Sequence, residues 1–350
     1  MMNSNFNQII AATDDERAGL FNTTAQRKGT TAQNIEKDFW VSWCLDVLFN
    51  GLINHHRMLF KGGTSLSKGF GLIDRFSEDI DITVYRADLG IDTSIEELKD
   101  YTSSKLKKTR KKIEENCENY ITGELLTNCT EIITETVERN RLSTDQFQIV
   151  SDPEHKQTLK LYYPQAKIDQ HDSYVERVVK LEFGAKSALC PNTKCTINPY
   201  IDDDMPNLDF GVQNITTIIP ERTLWDKIII LHSLKGWFDN KNELRGGGDR
   251  ESRHYYDVFQ LLQSETGRNA LNDIDLGSEC VLQSRVFFYK KQFNLEMAKP
   301  PTFSILPEGR MLSELRNDYE AMSGMIFGNP PRFEDIIDCI RDLEKELNTE

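Results

Sequence analysis

The chain has 350 residues, a formal net charge of −14 and a composition that is 38% hydrophobic and 28% charged. That length supplies one large or two ordinary domains, its apolar runs fall short of the ~20 residues of a membrane span, and its acidity argues against a general nucleic-acid coat. Seven cysteines scattered without zinc-finger spacing predict free thiols in a reducing, cytoplasmic compartment, and the N-terminal residues lack a secretory pattern.

Residues 34–50 carry Ile35, Phe39, Trp40, Trp43, Leu45, Val47 and Leu48 at helical spacing. This predicts a core helix with Glu36, Lys37 and Asp38 in its first turn. The densest pattern follows at residues 59–84, LFKGGTSLSKGFGLIDRFSEDIDITV. An apolar run enters Gly62 and Gly63, whose backbone lets N–H groups close on an anion, and the hydroxyls of Thr64 and Ser65 come next. Asp79 and Asp81 alternate with Ile80 and Ile82, so a strand points both carboxylates into one space. Carboxylates that close repel unless a cation lies between them, which makes the pair a candidate divalent-metal site. A phosphate cradle followed by a metal strand is the layout of nucleotidyl transfer. A short helix over residues 66–73 is expected to connect the two.

Residues 95–118 are rich in Lys and Glu and read as a helix, with KLKKTRKK at residues 105–112. Glu114, Glu115 and Glu118 follow at once, so a solvated face and a contact to an RNA backbone both stand. Residues 147–164 and 174–184 read as two strands of a hairpin. On the second, Val179, Leu181 and Phe183 share one face, and Lys180 and Glu182 the other. A third acid in the domain of Asp79 and Asp81 is what a two-metal site uses. Residues 198–208 read as a loop whose acids 202–204 are solvated, followed by a strand over residues 213–219. Pro220 opens a mostly buried helix ending near Gly236, in which Lys227 must snorkel or meet an anion. A glycine-rich loop at residues 239–250 precedes a helix at residues 253–262, where Asp257 falls among aromatics. Helices broken at residues 299–309 and 328–331 fill the remainder. The shift at Pro220 predicts an α+β chain with a mixed-sheet domain over residues 1–219 and an all-helical domain over residues 220–350.

The motifs IEKDFW, FKGGTSLSK, RFSEDIDI, VKLEF, PERTLWDKI, SRHYYD and LRNDYEAMSGMIFGNPPRFEDII run through nearly the whole chain. Together they resemble the AbiEii/AbiGii nucleotidyltransferase-like toxin family, within the DNA polymerase β-like nucleotidyltransferase superfamily. The resemblance implies a polymerase-β-like mixed sheet with helices, and a helical C-terminal domain that completes the active-site cleft. It implies a toxin of a toxin–antitoxin or phage-abortive-infection system that moves NMP from an NTP to an RNA or protein acceptor, in some relatives the 3′ end of tRNA. Mg²⁺ or Mn²⁺ would be the cofactor and a winged-helix antitoxin the partner. The family's metal pair falls on Asp79 and Asp81, its glycine turn on Gly62 and Gly63, and its serine on Ser77. Its helical lysine falls on Lys227 and its later aspartate on Asp257, with Arg253 one turn earlier.

On this footing Asp79, Asp81, Glu182, Lys227 and Asp257 are expected to be catalytic, the first three as metal ligands. Gly62, Gly63, Thr64, Ser65, Lys68, Ser77, Lys180 and Arg253 are expected to bind the nucleotide, with Lys227 neutralising the triphosphate. Lys61 and Arg75 are open to lesser phosphate roles or to ion pairs. Two rivals remain. A metal-dependent nuclease would use Asp79, Asp81, Glu182 and Lys186 but leaves the glycine turn unexplained; the other is a non-catalytic nucleotide- or antitoxin-binding module.

Overall fold

The computed structural model describes residues 1–77, 79–168, 176–248 and 250–349. Its contacts fall into two units. The first comprises Met1–Phe70, Phe76–Thr93 and Lys107–Ile218, and the second Gly71–Arg75, Ser94–Leu106 and Ile219–Glu350.

The first unit is built on seven strands among the described residues: β1 (Met58–Lys61), β2 (Asp79–Val84), β3 (Gln148–Ser151), β4 (Thr158–Tyr162), β5 (Val179–Gly184), β6 (Asn192–Ile197) and β7 (Val212–Ile218). They form one mixed sheet in the order β3-β4-β5-β2-β1-β7-β6. At its centre β2 runs antiparallel to β1 and parallel to β5. Phe60, Ile82 and Phe183 lie in one row across these strands, with Ile80 beside Leu181, and all five are buried. Burying such side chains is the dominant favourable term in folding. The helix Ala32–Asp46 packs on β5 and β7. All 15 of its residues are buried, as a core helix requires, and because it starts at Ala32, Glu36, Lys37 and Asp38 fall after its first turn.

Three strand expectations change. The stretch at residues 147–164 is itself a hairpin, β3 and β4, because residues 152–157 turn. The next strand begins only at Val179; residues 174 and 175 of the expected strand lie outside the described residues. The sequence reading passes over β6, an edge strand whose Asn192, Thr193, Lys194 and Thr196 are exposed. An exposed edge lacks the apolar alternation that marks a half-buried strand. The helix expected at residues 66–73 instead spans Gly62–Lys68, starting on the glycines themselves.

The second unit is helical, with Pro220–Lys241, Ser252–Gln263, Ile274–Phe287, Gly309–Met322 and Phe333–Leu347 as its long elements. It also takes in two earlier pieces of chain that a single cut at Pro220 leaves behind. Residues 71–75 join it because Arg75 pairs with Ile326 across a β-bridge and the amide of Phe327 donates to the carbonyl of Asp74 at 2.9 Å. The helix Ile95–Lys99 joins it by packing on Ile274–Phe287. No helix among the described residues is long and apolar enough to cross a membrane. All seven cysteines are free thiols, and burial pushes Cys117 and Cys129 up to about 12.

Candidate active site

In the first unit the charged ends of the central strands share one face of the sheet. Asp81 stands opposite Lys61 on β1 and Glu182 on β5, and Asp79 stands opposite Lys180. Neighbouring residues in register point to the same side, so Asp79, Asp81, Lys180 and Glu182 converge there while Ile80 and Leu181 face the core. Lys61 Nζ lies 3.4 Å from Asp81 Oδ1, and Lys180 Nζ lies 2.9 Å from Glu176 Oε2. Among the described residues no three acidic, His or Cys side chains form a ready ligand cluster. The donor set on offer is thus the Asp79–Asp81 pair, with Glu182 at the level of Asp81. Two carboxylates suit a small hard cation such as Mg²⁺, which keeps waters and takes its other ligands from substrate phosphates.

Gly62 explains why a glycine opens the neighbouring helix. Its φ is +81°, and a Cβ there would sit 2.0 Å from Asp81 Oδ2. Only a residue without a side chain lets the Asp81 carboxylate rest against the backbone at that point. The hydroxyls that follow turn inward. Ser65 Oγ, fully buried, donates to the Gly62 carbonyl at 2.8 Å. Thr64 Oγ1 lies 2.5 Å from the Asp79 carbonyl, which can only accept, so the Thr64 hydrogen goes there. The Ser77 hydroxyl, 2.8 Å from Thr64 Oγ1, therefore donates to Thr64. Thr64 braces the start of β2 and Ser65 the glycine turn, instead of presenting hydroxyls to a phosphate. Lys68 also departs from its expected nucleotide role. Its Nζ is buried 2.6 Å from Asp38 Oδ1 and lies over the Tyr200 ring, so the charge is committed inside the fold.

The second unit holds Lys227, Asp257 and Arg253. Asp257 is fully buried at the centre of a three-residue ion cluster. Arg75 Nε and Nη2 donate to its two oxygens at 2.7 and 2.8 Å, and Lys227 Nζ donates to Oδ2 at 2.7 Å. Burial alone would raise this carboxyl; Arg75 and then Lys227 outweigh it and hold the group well below the usual carboxylate range. Burial pushes Lys227 down, and Asp257 opposes that shift. His254 is likewise driven well below the usual imidazole range, first by burial and then by Lys227 and Arg253, so it is neutral near pH 7. Arg253 itself is half-buried one turn before Asp257. The ammonium of Lys227, expected to neutralise a triphosphate, is taken up by Asp257.

Arg75 is the residue that sequence reading undervalued. Its signal lay in its place, four residues before Asp79 inside the aspartate motif. The acids at residues 202–204 are also less solvated than expected. Arg27 pairs with Asp203 and Asp204 at 2.9 and 2.8 Å, and Asp202 accepts from the Phe210 amide.

The family described as Nucleotidyl transferase AbiEii toxin, Type IV TA system, matches residues 47–339. No curated protein matches the chain. Among solved structures the chain is similar to MenT4, nucleotidyltransferase toxin Rv2826c from Mycobacterium tuberculosis H37Rv. The identity is 14% and the TM-score 0.39, over 95% of this chain and 99% of that one.

Proposed function

The chain belongs to the AbiEii nucleotidyltransferase toxin family of type IV toxin–antitoxin systems, and from that premise we propose that it transfers NMP from an NTP to the 3′ end of tRNA. The observation that carries the reading is the close fit of the Asp81 carboxylate against a side-chain-free Gly62, beside Asp79 and level with Glu182. Bound to Asp79 and Asp81, Mg²⁺ or Mn²⁺ would offset the charge that develops on the α-phosphoryl group. The acceptor hydroxyl oxygen forms a bond to the α-phosphorus as the bond to the β-phosphate oxygen breaks, and pyrophosphate leaves. Glu182, exposed on the same face, takes the hydroxyl proton. Backbone N–H groups at Gly62 and Gly63, the free lone pairs of Ser77 and the ammonium of Lys180 bind phosphate oxygens. Thr64 and Ser65 hold β2 and the glycine turn in register.

Lys227 and Asp257 act as positioning residues within the second unit. A cognate antitoxin is the partner, proposed to be of the winged-helix type, and the cytoplasm is the proposed place of action. A nuclease reading gives Gly62 no task. Incubating the protein with each labelled NTP, Mg²⁺ and total RNA tests the assignment. Label is expected to join RNA with the wild type and to disappear with Asp79→Ala, while circular dichroism stays unchanged. An active Asp79→Ala protein, or RNA that shortens without gaining label, overturns it.

A further inference from the structure

The helix Ser103–Tyr120 is charged against its own interest. Lys105, Lys107, Lys108, Arg110, Lys111 and Lys112 lie within its first ten residues, and Glu114, Glu115 and Glu118 in its last eight. Its first turn contains no acid and its last turn no base, the reverse of what the helix dipole favours. Lys107 with Lys111, and Lys108 with Lys112, are like charges four residues apart and repel along the helix surface. Helix stability therefore does not account for this order of charges.

Neighbouring acids do not cancel it either. Glu114 is paired with Lys186, and Glu118 with Lys156 at 2.9 Å, both lysines from outside the helix. Lys111 meets Glu115 at 3.1 Å. Among the described residues no acid lies within ion-pair distance of Lys107, Lys108 or Lys112. Ile113 and Cys117 fix the opposite side of the helix in the core, so Lys107, Lys108, Lys111 and Lys112 stand exposed together. In a chain of net charge −14 this face is a local exception.

We infer that this lysine face docks the phosphate backbone of the RNA acceptor, an inference that rests on the RNA-acceptor reading above. Ammonium groups neutralise phosphates without reading bases, so they position a strand and leave the choice of its end to the transfer site. A protein partner fits the face less well. Protein interfaces rely on buried aromatic or aliphatic anchors, and none of the exposed large hydrophobic side chains, such as Ile53, Tyr162 and Phe288, belongs to this helix.

The test compares two triple variants that remove the same charge: K107Q/K108Q/K112Q on the helix, and K241Q/K291Q/K299Q elsewhere on the surface. Binding to a fluorescent tRNA transcript, without NTP, is followed by anisotropy from low to high salt. Each lost phosphate contact lowers the salt slope by roughly 0.7 to 0.9, so the helix variant is expected to lose about two units of slope and roughly tenfold in affinity at low salt. The surface variant should stay within about twofold of wild type. In the transfer assay the helix variant should raise KM for RNA and leave KM for NTP unchanged. Equal losses in both variants, or a loss in neither, overturn the inference, as does unchanged RNA binding with weakened capture of the antitoxin. RNA binding that is lost in the helix variant, while the wild type transfers no nucleotide to RNA, removes the acceptor reading and leaves the docking face standing.

Discussion

Asp38 in the first unit and Asp257 in the second are both buried, with 3% and 0% exposure, yet their carboxyl groups are pushed in opposite directions. Asp38 has one cation in contact, Lys68 at 2.6 Å, an amide from Tyr200, and Lys28 farther off. Burial dominates there, raising Asp38 and lowering Lys68, so both partners move toward neutrality. Asp257 has two cations, one of them a bidentate arginine, and ends well below the ordinary range despite burial. Glu36 behaves like Asp38. Arg177 reaches it at 2.5 Å and the Ala166 amide at 2.6 Å, and burial still raises it. The difference teaches that one cation in direct contact does not repay the desolvation of a buried acid here, even with a second farther off, whereas two in direct contact do. It also separates two uses of buried charge. The Asp38–Lys68 pair is a replaceable packing element, and Asp257 is a hub on which two other charges depend.

The largest expected effect follows from that hub. Asp257→Asn keeps the shape of the side chain and removes the buried anion that Arg75 and Lys227 share. Breaking a buried pair from one side costs about 3–5 kcal/mol, and urea unfolding should show a loss of that order. A loss under about 1 kcal/mol would break the comparison. The smaller effect is expected at the single pair. The double variant D38N/K68M removes both charges at once, and should stay within about 1 kcal/mol of wild type or gain stability. If the double variant is as damaged as Asp257→Asn, Asp38 is a hub as well.

These clusters also mark where the sequence stopped being legible. The face carrying Asp79, Asp81 and Glu182 could be read because a strand repeats every two residues, and alternation with Ile80, Ile82 and Leu181 is local information. That Asp81 and Glu182 stand side by side needed the β2–β5 register, which no periodicity contains. Gly62 and Gly63 announced a turn, but that Gly62 clears space for the Asp81 carboxylate depends on an atom 19 residues away. The partners of Glu36, Asp38 and Asp257 were least legible. The periodicity placed Glu36 on a core helix but not its partner Arg177, which reaches it from 141 residues further along. Arg75 and Asp257 lie 182 residues apart, and only the fold brings them together. The helices after Pro220 were expected from their apolar spacing, whereas the grouping of residues 71–75 and 94–106 with them has no local signature.

The finest test of the comparison is pH, because the two regions contain titrating groups of opposite sign. Glu36 and Asp38 have folded pKa values above their unfolded ones, roughly 4.3 and 3.9. The folded state binds their protons more tightly, so their contribution is greatest in acid and is lost as pH rises through the folded values. His232 and His254 in the second unit are shifted the other way, lowered by burial below an unfolded value near 6.5. Their contribution is present above that value and lost as pH falls through it toward the folded pKa, up to roughly 1.4 kcal/mol per pH unit for each. Glu251, raised by burial in the same unit, offsets part of that loss. Asp257, being depressed, is ionised in both states until pH falls below about 4 and says nothing in this window. Hydrogen exchange read peptide by peptide between pH 7 and 5, corrected for intrinsic rates, resolves the two regions. Ala32–Asp46 is expected to hold or gain protection on acidification, and Ser252–Gln263 to lose it. Equal responses would mean that the buried acids of the first unit are stabilised by their single contacting cations after all, and the distinction between one contact and two would fall.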